Sequence, residues 1–232
     1  MPFLQVCNLL KHQSFKLSMK DAEHGKLVIV RHHESEWNKL GIWTGSRDVH
    51  LTEYGRKKSK EMGELIRDIP IDKAFVSTQV RSFETFSEMA IGMGQTSIPV
   101  EKSSAHNERD YGEYTGKNKW EMQKQLGVDV FNCVRRDWDC PVPGGETLKM
   151  VYARVMPFYT KVLLPLLNSG ATVLLVSHGN AIRALMKYIE NIPDEKVRDI
   201  EMLFGAIVVY EIDKEGHGVS KEVRHVKSEV NA

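Results

Sequence analysis

Two short apolar runs, each ending on a histidine, constrain this chain more than any other feature. Leu27-Val28-Ile29-Val30 passes into Arg31-His32, and Val173-Leu174-Leu175-Val176 passes into Ser177-His178-Gly179. Short apolar runs without polar alternation suit strands buried on both faces, the pattern of a parallel sheet covered by helices on each side. Ligands of open α/β sheets sit outside the carboxyl ends of the strands. His32 and His178 are therefore expected to leave two neighbouring strands into one cleft.

The rest of the pattern agrees with an α/β fold, a mainly parallel central sheet with helices on both faces. Further strands are expected at Ala74–Val76, Ile98–Val100, Ile207–Ile212 and Glu222–Val226. Helices are expected over 52–69, 80–93, 119–126, 130–138, 147–167 (kinked at Pro157) and 180–190. Residues 1–26 read as an N-terminal extension and 27–232 as a catalytic domain, with a helical cap-like insertion at about 98–146. The extension carries Lys11, Lys16, Lys20 and Lys26 against Asp21 and Glu23 but no basic segment ahead of Phe3–Leu10. It therefore does not read as a secretory signal, while organelle targeting stays open.

Composition excludes several classes of function. In 232 residues the formal net charge is +1, and no basic tract of the kind nucleic acid demands is present. No apolar run reaches the length of a membrane span. Three cysteines, Cys7, Cys133 and Cys140, lack the spacing of a disulfide framework or zinc module, and so predict unpaired thiols in the cytoplasm. What remains is a local site. The strand ending at Val76 delivers Arg81 to the same cleft, the chain after Val100 leads to Glu108, and the helix from Asn180 offers free backbone donors to an anion. Histidines beside Arg31 and Arg81 make poor ligands for a cation, and no metal-binding spacing occurs, so no metal is expected. Phosphate is the anion these groups suit.

Arg31-His32-His33-Glu34-Ser35-Glu36-Trp37-Asn38 resembles the R-H-G-E-S-x-W-N motif of the histidine phosphatase superfamily, and within it the cofactor-dependent phosphoglycerate mutases. The likeness continues through Trp43-Thr44-Gly45, Arg81, Asn107 to Gly112, Gly116 to Lys119, Arg135-Arg136, Pro143 to Leu148 and Ser177 to Leu185. The resemblance implies interconversion of 3- and 2-phosphoglycerate in glycolysis and gluconeogenesis, through a phosphohistidine at His32 primed by 2,3-bisphosphoglycerate. It implies Glu108 as acid and base, with Arg31, Arg81 and His178 on the transferring phosphoryl group. Ser35, Asn38, Thr44, Gly45, Arg109, Tyr111, Lys119, Arg135, Arg136, Gly179 and Asn180 would bind the remainder of the substrate. A homo-oligomer is implied by analogy with the family. A phosphatase, or a bisphosphoglycerate mutase/phosphatase, fits the same scaffold, as does a non-catalytic binding protein.

Three departures bear on this. His33 replaces the family glycine after the nucleophile and is expected to crowd the phosphate, strain the turn or add a donor. The segment between Arg136 and Pro143 is short, and the tail Lys227–Ala232 lacks an evident glycine- or lysine-rich pattern.

Overall fold

The computed structural model describes residues 24–226. Most of the predicted N-terminal extension (1–23) and the tail from Lys227 lie outside the described residues.

In chain order the elements are β1 (Gly25–Arg31), α1 (Glu36–Lys39), α2 (Glu53–Leu65), β2 (Lys73–Ser77), α3 (Val80–Met93) and β3 (Val100–Ser103). Then come α4 (Lys119–Leu126), α5 (Val128–Arg136), α6 (Leu148–Phe158), α7 (Leu164–Asn168), β4 (Thr172–Ser177), α8 (Gly179–Ile189), β5 (Ala206–Ile212) and β6 (Gly218–His225). The strands form one sheet in the order β3-β2-β4-β1-β5-β6. Pairing is parallel from β3 to β1 and antiparallel at β5 and β6.

Strand alternation divides the core. Leu27, Ile29, Phe75, Val173 and Leu175 face a cluster with residues of α6, α7 and α8, while Val28, Val30, Ala74, Val76, Leu174 and Val176 face residues of α2 and α3. Most of these side chains are fully buried, each stabilising by about 1.5–3 kcal/mol when large. A third cluster, Trp43, Tyr111, Met122, Phe131, Val134, Cys140 and Val142, lies outside the sheet layers and unites α4 and α5 with the loops around them.

Several expectations are corrected. β1 begins at Gly25, inside the predicted extension, where a side chain would strike the Leu167 carbonyl 2.2 Å away. α2 stops at Leu65, which is exposed, and Ile66 and Ile69 are buried in the following turn. The edge strand is Val100–Ser103 rather than Ile98–Val100. The long helix predicted over 147–167 is interrupted by a π turn, Tyr159–Leu163, lying between Pro157 and Pro165. Neither proline can donate to the helical ladder, and wide turns of this kind tolerate the missing bonds. Finally, Cys133 and Cys140 form a disulfide, their Cα atoms 5.7 Å apart. The chain doubles back after α5, bringing together two cysteines whose separation of seven carries no framework signal. The cysteine pattern thus no longer argues for a reducing compartment.

Candidate active site

The first parallel pair, β1 and β4, aligns Arg31 with Ser177, and the His32 amide donates to the Ser177 carbonyl at 2.9 Å. The two predicted histidines therefore emerge side by side, ring centroids 4.9 Å apart. The His32 Nδ1 lies 2.7 Å from the His33 carbonyl. A carbonyl only accepts, so Nδ1 carries the proton and Nε2 keeps a lone pair. Arg81 Nε approaches that Nε2 at 3.4 Å. Burial, and then the charges of Arg81 and Arg31, hold the His32 pKa well below the usual histidine range. At neutral pH the ring is uncharged.

Arg81 is fully buried, and its other nitrogens donate to the Arg47 and Gly45 carbonyls. Gly45 sits at φ +52°, and a side chain there would meet the Thr115 hydroxyl at 2.7 Å. Arg31 lies over the Phe204 ring at 4.0 Å and donates to the Met202 carbonyl. His178 packs against His32, its Nε2 2.7 Å from the Ser77 hydroxyl. Burial, Arg81 and His32 keep this ring neutral also.

Glu108 faces this cluster across the cavity. Its Oε1 accepts from the Arg109 amide (2.7 Å), the Asn180 side-chain amide (3.0 Å) and the Asn180 backbone amide (3.3 Å). Its Oε2 takes none of these bonds. A methyl group at Gly179 would lie 3.9 Å from Oε2 and 3.7 Å from Arg31 Nε, so the start of α8 sits between these two side chains. Asn38, Thr44, Gly45, Tyr111, Lys119, Arg135, Arg136, Gly179 and Asn180 also line the cavity. Lys119 is lowered to about 8, first by burial and then by Arg31 and Arg135.

Two predicted binding residues are not brought to the wall. Ser35 is fully buried and caps α1. Arg109 is fully buried, donates to the Val134 carbonyl and lies against the Tyr111 ring. Conversely, Arg183 and Glu201–Leu203 line the cavity without having been assigned there. Arg183 was legible, one helical turn after Gly179 and Asn180 and so on their face. Glu201 belongs to an irregular segment before β5 that carries no local signal.

His33 departs from all three expectations. It has no positive φ, so the turn is unstrained. Its ring points away from the cavity, stacked on Phe204 at 5.5 Å and edge-on to Tyr54 at 5.7 Å, and its Nδ1 accepts from the Glu34 amide at 2.8 Å.

Buried Arg31 Nε, Thr44 Oγ1 and His178 Nδ1 have no hydrogen-bond partner among the described residues. Buried donors normally find acceptors, and oxygens of a phosphate ester beside His32 would supply them. Among the described residues no group of three or more His, Cys, Asp or Glu is placed to hold a metal.

A neutral histidine framed by two arginines and a second histidine, at the carboxyl ends of adjacent parallel strands, forms a cleft suited to an anion. Residues 27–223 match the histidine phosphatase superfamily (branch 1), and the chain belongs to that superfamily. Among its relatives is the 2,3-bisphosphoglycerate-dependent phosphoglycerate mutase of Parvibaculum lavamentivorans, 39% identical over 85% of this chain and 95% of the relative. The enzyme of the same name from Nitrobacter hamburgensis is 39% identical over 84% and 95%. In fold the chain resembles a mycobacterial glucosyl-3-phosphoglycerate phosphatase, with TM-score 0.75 at 19% identity over 88% of this chain and 99% of that one.

Proposed function

We propose that this chain is a 2,3-bisphosphoglycerate-dependent phosphoglycerate mutase. The observation that carries the reading is a second cationic cluster, Lys119, Arg135 and Arg136, in the same cavity as His32 and Glu108. Hydrolysis of a simple phosphate ester needs only the His32 end. A ligand with an anionic group at each end and a hydroxyl near the middle uses both.

His32 Nε2 attacks the phosphorus of 2,3-bisphosphoglycerate, the P–O bond breaks, and Glu108 protonates the departing oxygen. Arg31, Arg81 and the Nδ1 of His178 bind the phosphoryl oxygens as charge spreads over them. In the reverse half, Glu108 takes the proton of a phosphoglycerate hydroxyl, which attacks the phosphohistidine and frees His32. Attack by the 2-hydroxyl of 3-phosphoglycerate, reorientation, and loss of the 3-phosphoryl group to His32 complete the isomerisation. Lys119, Arg135 and Arg136 hold the carboxylate or second phosphate, the arginines through bidentate pairs. The helices α4 and α5 serve as the cap over that end. A cytoplasmic location belongs to the same reading, because multiply charged phosphoglycerates do not cross apolar barriers unaided.

The alternative, net hydrolysis, is favoured by one observation: a solved structure of similar fold is a phosphatase. Coupling to enolase with and without 2,3-bisphosphoglycerate, alongside inorganic phosphate release, tests the two. Primer-dependent production of 2-phosphoglycerate exceeding phosphate release is expected. Stoichiometric phosphate with no 2-phosphoglycerate overturns the mutase reading.

A further inference from the structure

Arg183 is the buried cation whose work the mechanism above leaves undefined. It lies on the first turns of α8, is 5% exposed, and spends both terminal nitrogens on oxygens from three separate pieces of chain. Nη1 donates to the Arg135 carbonyl at 3.1 Å and to Asn180 Oδ1 at 3.2 Å. Nη2 donates to the Arg136 carbonyl at 2.5 Å and the Val197 carbonyl at 2.9 Å.

Arg135 and Arg136 end α5, so their carbonyls have no acceptor role left within the helix. A guanidinium placed there satisfies them and suits the negative end of the helix dipole. The position is nonetheless costly. Burial, then Arg109 and Arg136, lower the Arg183 pKa to about 10. A charge held against such opposition, beside other cations, is not explained by packing alone. The bond to Asn180 gives the other half of its task. By engaging Asn180 Oδ1, Arg183 leaves the Asn180 amide nitrogen to face Glu108 and the Tyr111 hydroxyl, each at 3.0 Å.

We propose that Arg183 is a positioning residue that sets the Arg135–Arg136 backbone at the substrate's distal end and orients Asn180 against Glu108. The planar fork can hold carbonyls on two elements at fixed separation, which a lysine ammonium cannot reproduce. Removing it should loosen the distal cations while leaving the phosphoryl seat around His32, which Arg183 does not contact through any of these bonds.

The proposal rests on the mutase reading for the identity of the substrate, so the test separates the two. Binding of 3-phosphoglycerate, which spans both ends, is compared with that of orthovanadate, which needs only the His32 end, for wild type, Arg183→Gln and Arg183→Lys. Far-UV circular dichroism and thermal unfolding accompany each. Arg183→Gln should weaken 3-phosphoglycerate at least tenfold and change vanadate less than twofold, with Arg183→Lys recovering only part of the loss. In turnover, loosening of the distal cations should raise KM, and the loss of the Asn180 orientation against Glu108 should lower kcat as well. Equal weakening of both ligands, or full recovery in Arg183→Lys, overturns the proposal. Should Arg183→Gln fail to fold, Arg183→Lys decides alone: unchanged 3-phosphoglycerate affinity is the overturning result. Wild-type protein that binds vanadate but not 3-phosphoglycerate would instead overturn the mutase reading.

Discussion

The two ends of the cavity are built by different means. At one end His32, His178 and Arg81 follow central strands or the first turn of α3, and all three are buried, with hydrogen bonds to neighbouring groups. At the other, Lys119, Arg135 and Arg136 sit on short helices outside the sheet, are partly exposed, and depend on ties across the fold. Those ties are the Arg183 fork, the Arg136–Glu201 ion pair and the Cys133–Cys140 bond that rings the arginine pair. The contrast teaches where precision is needed. Phosphoryl transfer requires preorganised geometry, whereas anchoring a distal anion tolerates adjustment, so its cations can ride on a less embedded layer.

The sharpest way to break this contrast is at the nucleophile. His32→Ala should abolish acid-labile phosphoenzyme formed from labelled 2,3-bisphosphoglycerate, with circular dichroism unchanged. Labelling that persists on histidine would move the chemistry to His178 or His33. Glu108→Gln should come next, lowering kcat about 10²–10⁴-fold with little change in KM, the usual scale for a positioned acid–base group. Near-normal turnover in that variant removes Glu108 from proton transfer.

The distal end should respond differently. Arg136→Gln should raise KM for 3-phosphoglycerate about tenfold or more, since bonds to charged groups contribute about 1.5–3 kcal/mol, and should leave phosphorylation of His32 by saturating primer near normal. A loss confined to kcat would mean that the two ends are not functionally separate.

The legibility of the site follows the same division. The Leu27–Val30 and Val173–Val176 runs announce buried parallel strands, and strand ends announce where His32 and His178 go. Arg81 and Glu108 follow because they lie shortly after such strands. The displacement of Ser35 and Arg109 from the wall was not readable, because a motif assigns residues to a neighbourhood without stating which way each points. The disulfide depends on how tightly the chain doubles back over seven residues after α5, and the Glu201–Leu203 wall on long-range packing, neither of which leaves a local pattern. His33 shows a further limit: a glycine position can accept a side chain where φ is ordinary and Phe204 and Tyr54 offer an aromatic slot.

That slot supports the smallest effect, on stability. Burial, and then the charges of Arg31 and Lys58, lower His33 to about 4. An unfolded histidine titrates near 6.5, so below roughly that pH the unfolded chain binds a proton the folded one refuses. Stability should therefore fall as pH drops from about 6.5 toward 4, by at most about 1.4 kcal/mol per pH unit from this residue. Urea midpoints of wild type and His33→Leu at pH 7 and pH 5 check it. The variant should lose less between the two, and parallel losses would show that His33 does not titrate in this way.

The position of β4 between β1 and β2 has a consequence for the order in which the molecule becomes competent. β2, β3, α2 and α3 are contiguous enough to gather early in synthesis. Among the described residues β1 has hydrogen-bonded strand neighbours only in β4 and β5, so this early strand must wait for the keystone that begins at Thr172. At ribosomal rates of about 5–20 residues per second, that interval is on the order of ten seconds. Until then the His32 amide lacks the Ser177 carbonyl, and the ring lacks His178 beside it. A nascent chain can therefore display His32 before the groups that seat its ring are in place.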